Sequence, residues 1–357
     1  MIKSKIKLLK KLISTLSPSG FEDRIAKVLK SELLSILPRT RVEVDFHKNV
    51  IAKIPGTSDK TIVIDAHLDQ IGFSVVNVDR EGFITLGYLG GGDVSILSAR
   101  PLTIMTDKGD INAVINRKHA HLVKTEEAEN IEDIEEAQVD IGLRKRKQVL
   151  RKLKIGDPIV YKPNFYELAE NYCAGYGFDD KAGCFVLLET IKEIVKSKKK
   201  PYANLVFVFS SQEETGTRLN NIVQQYQPDL VMSVDVTFAT DYLWTEELER
   251  EAGRCELGKG VVIYRGLNIH LPTVKLLENI ARKYKAKFQT QANLDAGGFT
   301  SLITSSYTKG FRSVVLGIPL RNMHTPVETI HLKDLDYSVL LLKNFLVTPN
   351  LKNVLDK

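Results

Sequence analysis

VFVFSSQEETG, residues 206–216, decides the architecture. Leu205-Val206-Phe207-Val208-Phe209 is an unbroken apolar run of strand length, which reads as a strand buried on both faces. It leads into two adjacent carboxylates, Glu213 and Glu214. A Glu-Glu pair is ordinarily a solvated surface pair, and at the end of a buried strand it is costly unless something positive holds it. A strand that is just ending can aim both side chains into one cavity. There one carboxylate binds a metal while the other stays free to move a proton, the division of labour that metal-assisted hydrolysis needs.

The other short apolar runs end in the same way. Thr61-Ile62-Val63-Ile64 leads into Asp65, His67 and Asp69, and Leu230 to Val234 leads into Asp235. Arg312 to Pro319 leads, after a short loop, to Met323-His324-Thr325-Pro326, and Gly177-Phe178 precedes Asp179-Asp180 at the start of an apolar helix. In open α/β sheets ligands gather beyond the carboxyl ends of the strands. Each run alone is a weak signal. Together they deliver two imidazoles, His67 and His324, and three carboxylates, Asp179, Glu214 and Asp235, to one rim. A single tetrahedral zinc needs three protein ligands and a water. Two ions roughly 3.5–4 Å apart need a bridging carboxylate and about two further ligands each, which this set satisfies. Nitrogen and oxygen donors without thiolate suit zinc, cobalt or manganese.

The strings AHLDQIGF, GFDDKAGCFVLLE, VFVFSSQEETG, SVDVT and GIPLRNMHTPVE resemble the TET aminopeptidases, metallopeptidase family forty-two, along essentially the whole chain. That family also holds glutamyl aminopeptidases and members described as endoglucanases. The resemblance implies a metalloaminopeptidase with two Zn2+ or Co2+ ions per subunit that takes N-terminal residues from short peptides. It implies that His67 and Asp235 serve one ion, Glu214 and His324 the other, and that Asp179 bridges them. Glu213 would be the general base that takes the proton of the attacking metal-bound water, and Asp69 would hydrogen-bond the far nitrogen of His67. It further implies a cis peptide between Asp179 and Asp180 and assembly into a homo-oligomer, often a tetrahedral dodecamer.

Each residue also has a plainer reading. His67 on an apolar strand would be a satisfied core histidine, but a metal-bound histidine commonly donates its second N–H to a carboxylate, and Asp69 is at hand. Asp180 suits a helix N-cap, which is compatible with ligation by Asp179. Asp235 and His324 would be loop residues if the other ligands were absent. Arg321, Thr237 and Asp241 lie beside the ligand segments and are candidates to face substrate. Two other functions share the metal chemistry, a deacylase of N-acyl amino acids and an endoglucanase. The latter fits poorly, since glycosidases work with a pair of carboxyl groups.

Composition sets the frame. The 357 residues are 43% hydrophobic with a net charge of +6, enough for a large core and too balanced for a nucleic-acid surface. Basic clusters at Lys196–Lys200 and Arg144–Lys147 read as solvated helix ends. Three cysteines, Cys173, Cys184 and Cys255, show no metal-type spacing and fit a reducing cytoplasm. The start, Met1 to Leu16, has apolar residues at helical spacing and reads as a core-facing helix rather than a leader, and no stretch is long enough to span a membrane.

The expected fold class is α/β, a mixed central sheet flanked by helices, with an inserted small β-barrel-like domain. Residues 1–72 and 165–357 carry every ligand and form the catalytic domain. Residues 73–164 hold short β-type runs, Phe83–Tyr88, Pro101–Thr106 and Ile111–Ile115, separated by turn residues. This insert is the expected site of oligomerisation. The acidic stretch Glu126–Gln138 and the basic stretch after it read as an exposed loop and helix. At Ala292–Gly298 the chain departs from its relatives, which carry a Gly-Gly-Thr before the Asp-Ala that survives here as Asp295-Ala296; the departure bears on the substrate side chain.

Overall fold

The computed structural model describes residues 3–117, 133–216, 219–293 and 311–356. Its centre is an eight-stranded sheet in the order Val42–Val44, Val50–Ile54, Asn204–Ser210, Thr61–His67, Leu230–Phe238, Arg312–Leu320, Val261–Gly266, Phe288–Asn293. The four middle strands are parallel, Val50–Ile54 runs against both of its neighbours, and Val261–Gly266 runs against Arg312–Leu320 but parallel to Phe288–Asn293. The sheet is therefore mixed.

The run that opened the sequence reading occupies the middle of this sheet. Its side chains alternate between two cores: Phe207 and Phe209 join the main cluster, while Val206 and Val208 pack with Ile51, Val63, Ile222 and Val223 on the other face. Both faces are covered, which is why the run shows no polar alternation. The helix Phe178–Ser197 belongs to the main core, and its residues from Phe178 to Ile191 are buried. Buried on all sides over that length, it is an interior helix.

A closed barrel follows the strand that carries His67. Its strands are Gly72–Val78, Ile84–Leu89, Pro101–Thr106, Gly109–Ile115, Gln138–Asp140 and Pro158–Tyr161. Closure leaves no open edge and gives the barrel its own core, around Phe73, Leu86, Ile104, Val139 and Ile159. Two sequence readings change here. The first helix spans Lys3–Ile13 and ends before Leu16, which packs in the barrel core and ties the two cores together. Gln138, read as the end of an exposed acidic stretch, opens a barrel strand, because Val139 beside it is apolar and buried. Most of that acidic stretch lies outside the described residues. The basic clusters behave as expected: Arg144–Lys147 is exposed, and Lys196 sits in the last turn of its helix, where the dipole favours a cation. Among the described residues no helix is long and apolar enough to cross a membrane.

Candidate metal centre

Parallel register brings the strand ends to one rim. Ser210 lies beside His67, and Ser233 beside Asp65, so Asp235 falls level with His67 and Glu213-Glu214 follow just beyond. On the other side of Leu230–Phe238, Arg312–Leu320 runs parallel and hands the chain to the loop that bears His324. The helix Phe178–Ser197 starts at the same edge with Asp179.

All five candidate ligands meet there. His67 Nε2 stands 2.9 Å from Asp179 Oδ1 and 3.8 Å from Asp235 Oδ1. His324 Nε2 stands 3.3 Å from Asp179 Oδ2 and 3.5 Å from Glu214 Oε2. Asp179 therefore turns one oxygen to each histidine. Donor atoms of His67, Asp179 and Glu214 lie within 4.8 Å of one another, as do those of His67, Asp180 and Asp235. The Asp179–Asp180 peptide is cis. Asp180 caps its helix, with Oδ1 accepting the Gly183 N–H at 2.9 Å, while Oδ2 is buried without a hydrogen-bond partner. Glu214 Oε1 is buried and unpartnered as well. Two partnerless carboxylate oxygens beside two imidazoles are what a cation site requires and what a solvent-free core otherwise avoids. The donor set fits divalent ions.

Charge balance points the same way. Burial, reinforced by neighbouring carboxylates, pushes Glu214, Asp180 and Asp235 well above the usual carboxylate range, and burial raises Glu213. Burial would also raise Asp179, but the hydrogen bonds from His324 and His67 outweigh it and hold it low. For His67 burial acts downward, and the bonds to Asp179 and Asp69 carry it well above its ordinary value. The cluster calls for positive charge.

Asp69 differs in detail from the sequence reading. His67 Nδ1 is 3.2 Å from the Asp69 backbone carbonyl and 3.5 Å from its carboxylate. The carboxylate oxygens instead accept the N–H groups of Glu213 and Glu214 at 3.1 and 3.2 Å. Asp69 thus orients the Glu-Glu pair as well as His67. Among the described residues the Glu213 carboxylate itself makes no hydrogen bond or ion pair.

The substrate-facing candidates are less open than their positions suggest. Arg321 is held bidentately by Asp241 at 2.8 and 2.7 Å and lies over the rings of Tyr172 and Tyr242. Thr237 is buried, its Oγ1 hydrogen-bonded with the Tyr264 hydroxyl and 3.2 Å from Gln291 Oε1. The segment from 294 to 298, where the chain departs from its relatives, lies outside the described residues.

Sequence reasoning missed several buried groups around the centre. Asp65, pushed by burial to about 7, has Oδ1 without a partner. Glu22 Oε1 accepts the N–H of Gly20 at 2.7 Å and of Gln212 at 3.1 Å, holding the Ser17–Glu22 loop against the Glu-Glu turn. Lys181 is fully buried, donating to Thr15 O and Gln70 Oε1. The barrel also reaches the site: a Cβ on Gly91 would sit 3.1 Å from His324 Nδ1, and one on Gly90 3.1 Å from Glu214 Cβ. A side chain at either position would press on Glu214 or His324, and at Gly90 the backbone, at φ +89°, also favours glycine. Nothing in a lone Glu, Lys or Gly-Gly marks it as a neighbour of a metal site.

The family profile described as M42 glutamyl aminopeptidase matches residues 48–341. The chain belongs to the M42 glutamyl aminopeptidase family. Its fold is shared with the TET aminopeptidase of a marine-sediment Thaumarchaeota archaeon, with a TM-score of 0.89, 25% identity and 98% of each chain covered. The TET1 peptidase of Pyrococcus horikoshii, which can assemble into a tetrahedron or a large octahedral shell, gives a TM-score of 0.83 at 26% identity over 97% of this chain and 99% of that one. The lysyl aminopeptidase of Pyrococcus furiosus is 28% identical over 95% of this chain and 96% of its own length. Family and fold point to a metal-dependent aminopeptidase, and the rim of this M42 chain holds the His, Asp and Glu clusters that such an enzyme needs.

Proposed function

We propose that this chain removes N-terminal residues from short peptides, using two divalent ions, zinc or cobalt, and Glu213 as general base. The observation that carries the reading is Asp179, with one oxygen toward His67 and the other toward His324, beside the partnerless oxygens of Glu214 and Asp180. His67 and Asp235 would hold one ion and Glu214 and His324 the other, with Asp179 shared; Asp180, whose carboxylate groups with His67 and Asp235, would offer the first a further oxygen. When bound, such ions supply a water acidified towards neutral pKa and a Lewis acid for the peptide carbonyl. Glu213 takes a proton from the attacking water and returns it to the departing amine nitrogen. Asp69 keeps both glutamates aimed by holding their N–H groups, and Gly90-Gly91 walls the site from the barrel side.

The surplus of carboxylates suits a substrate that brings a free α-ammonium. The discriminating test is an aminoacyl amide with a free amine against its N-acetylated twin. The free form is expected to be cleaved and the blocked one ignored. Preferential cleavage of the acetylated form would make the chain a deacylase.

The same reading extends to assembly. The barrel is a closed unit with its own core, and the Pyrococcus horikoshii peptidase of the same fold can assemble into a tetrahedron or a large octahedral shell. A homo-oligomer of twelve copies of the 40.1 kDa chain is expected in light scattering. A monomeric mass at working concentration would dispose of the cage and leave the chemistry untouched.

A further inference from the structure

Glu328 stands outside the donor set yet holds two ligand-bearing segments at once. It opens the strand Glu328–His331 and is 1% exposed. Its Oε2 accepts the N–H of Gly177 at 3.0 Å and of Asp179 at 3.2 Å, and its Oε1 accepts the N–H of His324 at 3.1 Å. The first amides of a helix lack intrahelical partners and sit at its positive end, so a carboxylate there is stabilising. That alone would make Glu328 a structural residue. The second oxygen changes the assignment. His324 has φ +61°, a region seldom occupied by residues other than glycine, and its N–H is fixed by the same carboxylate. Asp179 and His324 thus hang by their N–H groups from opposite oxygens of one carboxylate, and their side chains stand 3.3 Å apart.

We propose that Glu328 is a positioning residue that fixes the spacing of Asp179 and His324, and with it the affinity of the cation pocket that His324 shares with Glu214. This rests on the two-ion reading above. A glutamine at 328 offers one acceptor oxygen and turns an NH2 group toward an N–H donor. It can serve the helix amides or His324, not both.

The test is calorimetric titration of chelator-stripped protein with Co2+, alongside the visible absorption spectrum. Glu328→Gln is expected to bind the ion held by His324 and Glu214 about 10–100-fold more weakly, with a smaller loss at the other ion through their shared Asp179, and with a changed spectrum. Asp334→Asn is the control. Asp334 is equally buried and accepts the N–H of Gly258 at 2.6 Å and of Gly260 at 2.8 Å, outside the donor set. It should melt at lower temperature and bind both ions normally. If Glu328→Gln also only melts lower, with both affinities and the spectrum unchanged, Glu328 is structural and the proposal fails. Should the glutamine variant not fold, Glu328→Asp, one methylene shorter, is expected to weaken the same ion, and unchanged affinities would overturn the proposal. Unaltered protein that takes up fewer than two ions would instead bring down the two-ion reading, independently of either variant.

Discussion

Replacing Glu213 with glutamine should lower kcat by roughly a hundredfold to ten-thousandfold while fold and metal content stay unchanged. The expectation rests on what Glu213 does and does not touch. Its N–H is held by Asp69 Oδ1 at 3.1 Å, an anchor that an isosteric amide side chain leaves intact. Its carboxylate makes no hydrogen bond or ion pair among the described residues, so the substitution breaks no structural link. Burial raises its pKa, and a base is most effective when its pKa approaches the working pH. Glutamine keeps the shape and cannot accept the proton. Steady-state kinetics on protein whose metal content has been measured gives the answer. Near-normal turnover with two ions bound would remove Glu213 from the role of base.

The adjacent Glu214 is set apart by geometry, since its Oε2 lies 3.5 Å from His324 Nε2 and its Oε1 is buried without a partner. That separation of two neighbouring carboxylates was legible in the sequence as a chemical argument. The apolar run before them could only be a doubly covered strand, and parallel neighbours then had to share a rim. That the five candidate ligands gather on one rim was readable for the same reason: each lies at or within a few residues of a strand end, or at the start of a helix, so local pattern determines where it goes. The barrel strands Pro101–Thr106 and Ile111–Ile115 were readable from alternation and turns. Glu328, Glu22 and Asp65 were not. Their importance lies in which backbone amides they accept or which cavity they enter, and such contacts are made between segments far apart in the chain. Glu328 meets Gly177 across a separation of 151 residues, and no periodicity records that. The role of Asp69 was half visible for a related reason. Its proximity to His67 is local, but its bonds to the Glu-Glu amides are made across the sheet. Gly91 shows the same limit from the other side, because a glycine announces a turn and not what the turn approaches.

Stripping the protein of divalent ions should abolish activity, restored by zinc or cobalt, and should leave a fold whose stability falls as pH rises. Asp65, Asp69, Asp179, Asp180, Glu213, Glu214 and Asp235 crowd one rim, and among the described residues His67, His324 and Lys181 are there to offset them. Ions that bind the folded state alone stabilise it by about 4 kcal/mol at a thousandfold excess over Kd, so Tm should climb with the logarithm of the metal concentration. The pH dependence follows from the buried acids. Burial lifts Asp65 and Glu22 to about 7 and Glu328 to about 8, above the unfolded values near 4. Between those limits the folded state binds more protons than the unfolded one, so the stability they confer is complete below about pH 4 and is lost as pH climbs through 7 to 8. His67, raised by its carboxylate partners, contributes in the same sense. Lys181, lowered by burial to about 7, opposes it only above that pH, and Asp179, held low, matters only in stronger acid. Bound cations keep the rim carboxylates ionised and flatten the slope. Melting curves at several pH values between 5 and 8, with and without added zinc, test both halves. Full activity in protein shown by metal analysis to be ion-free, or a stripped protein that grows more stable toward pH 8, would mean that the rim is held together by something other than cations.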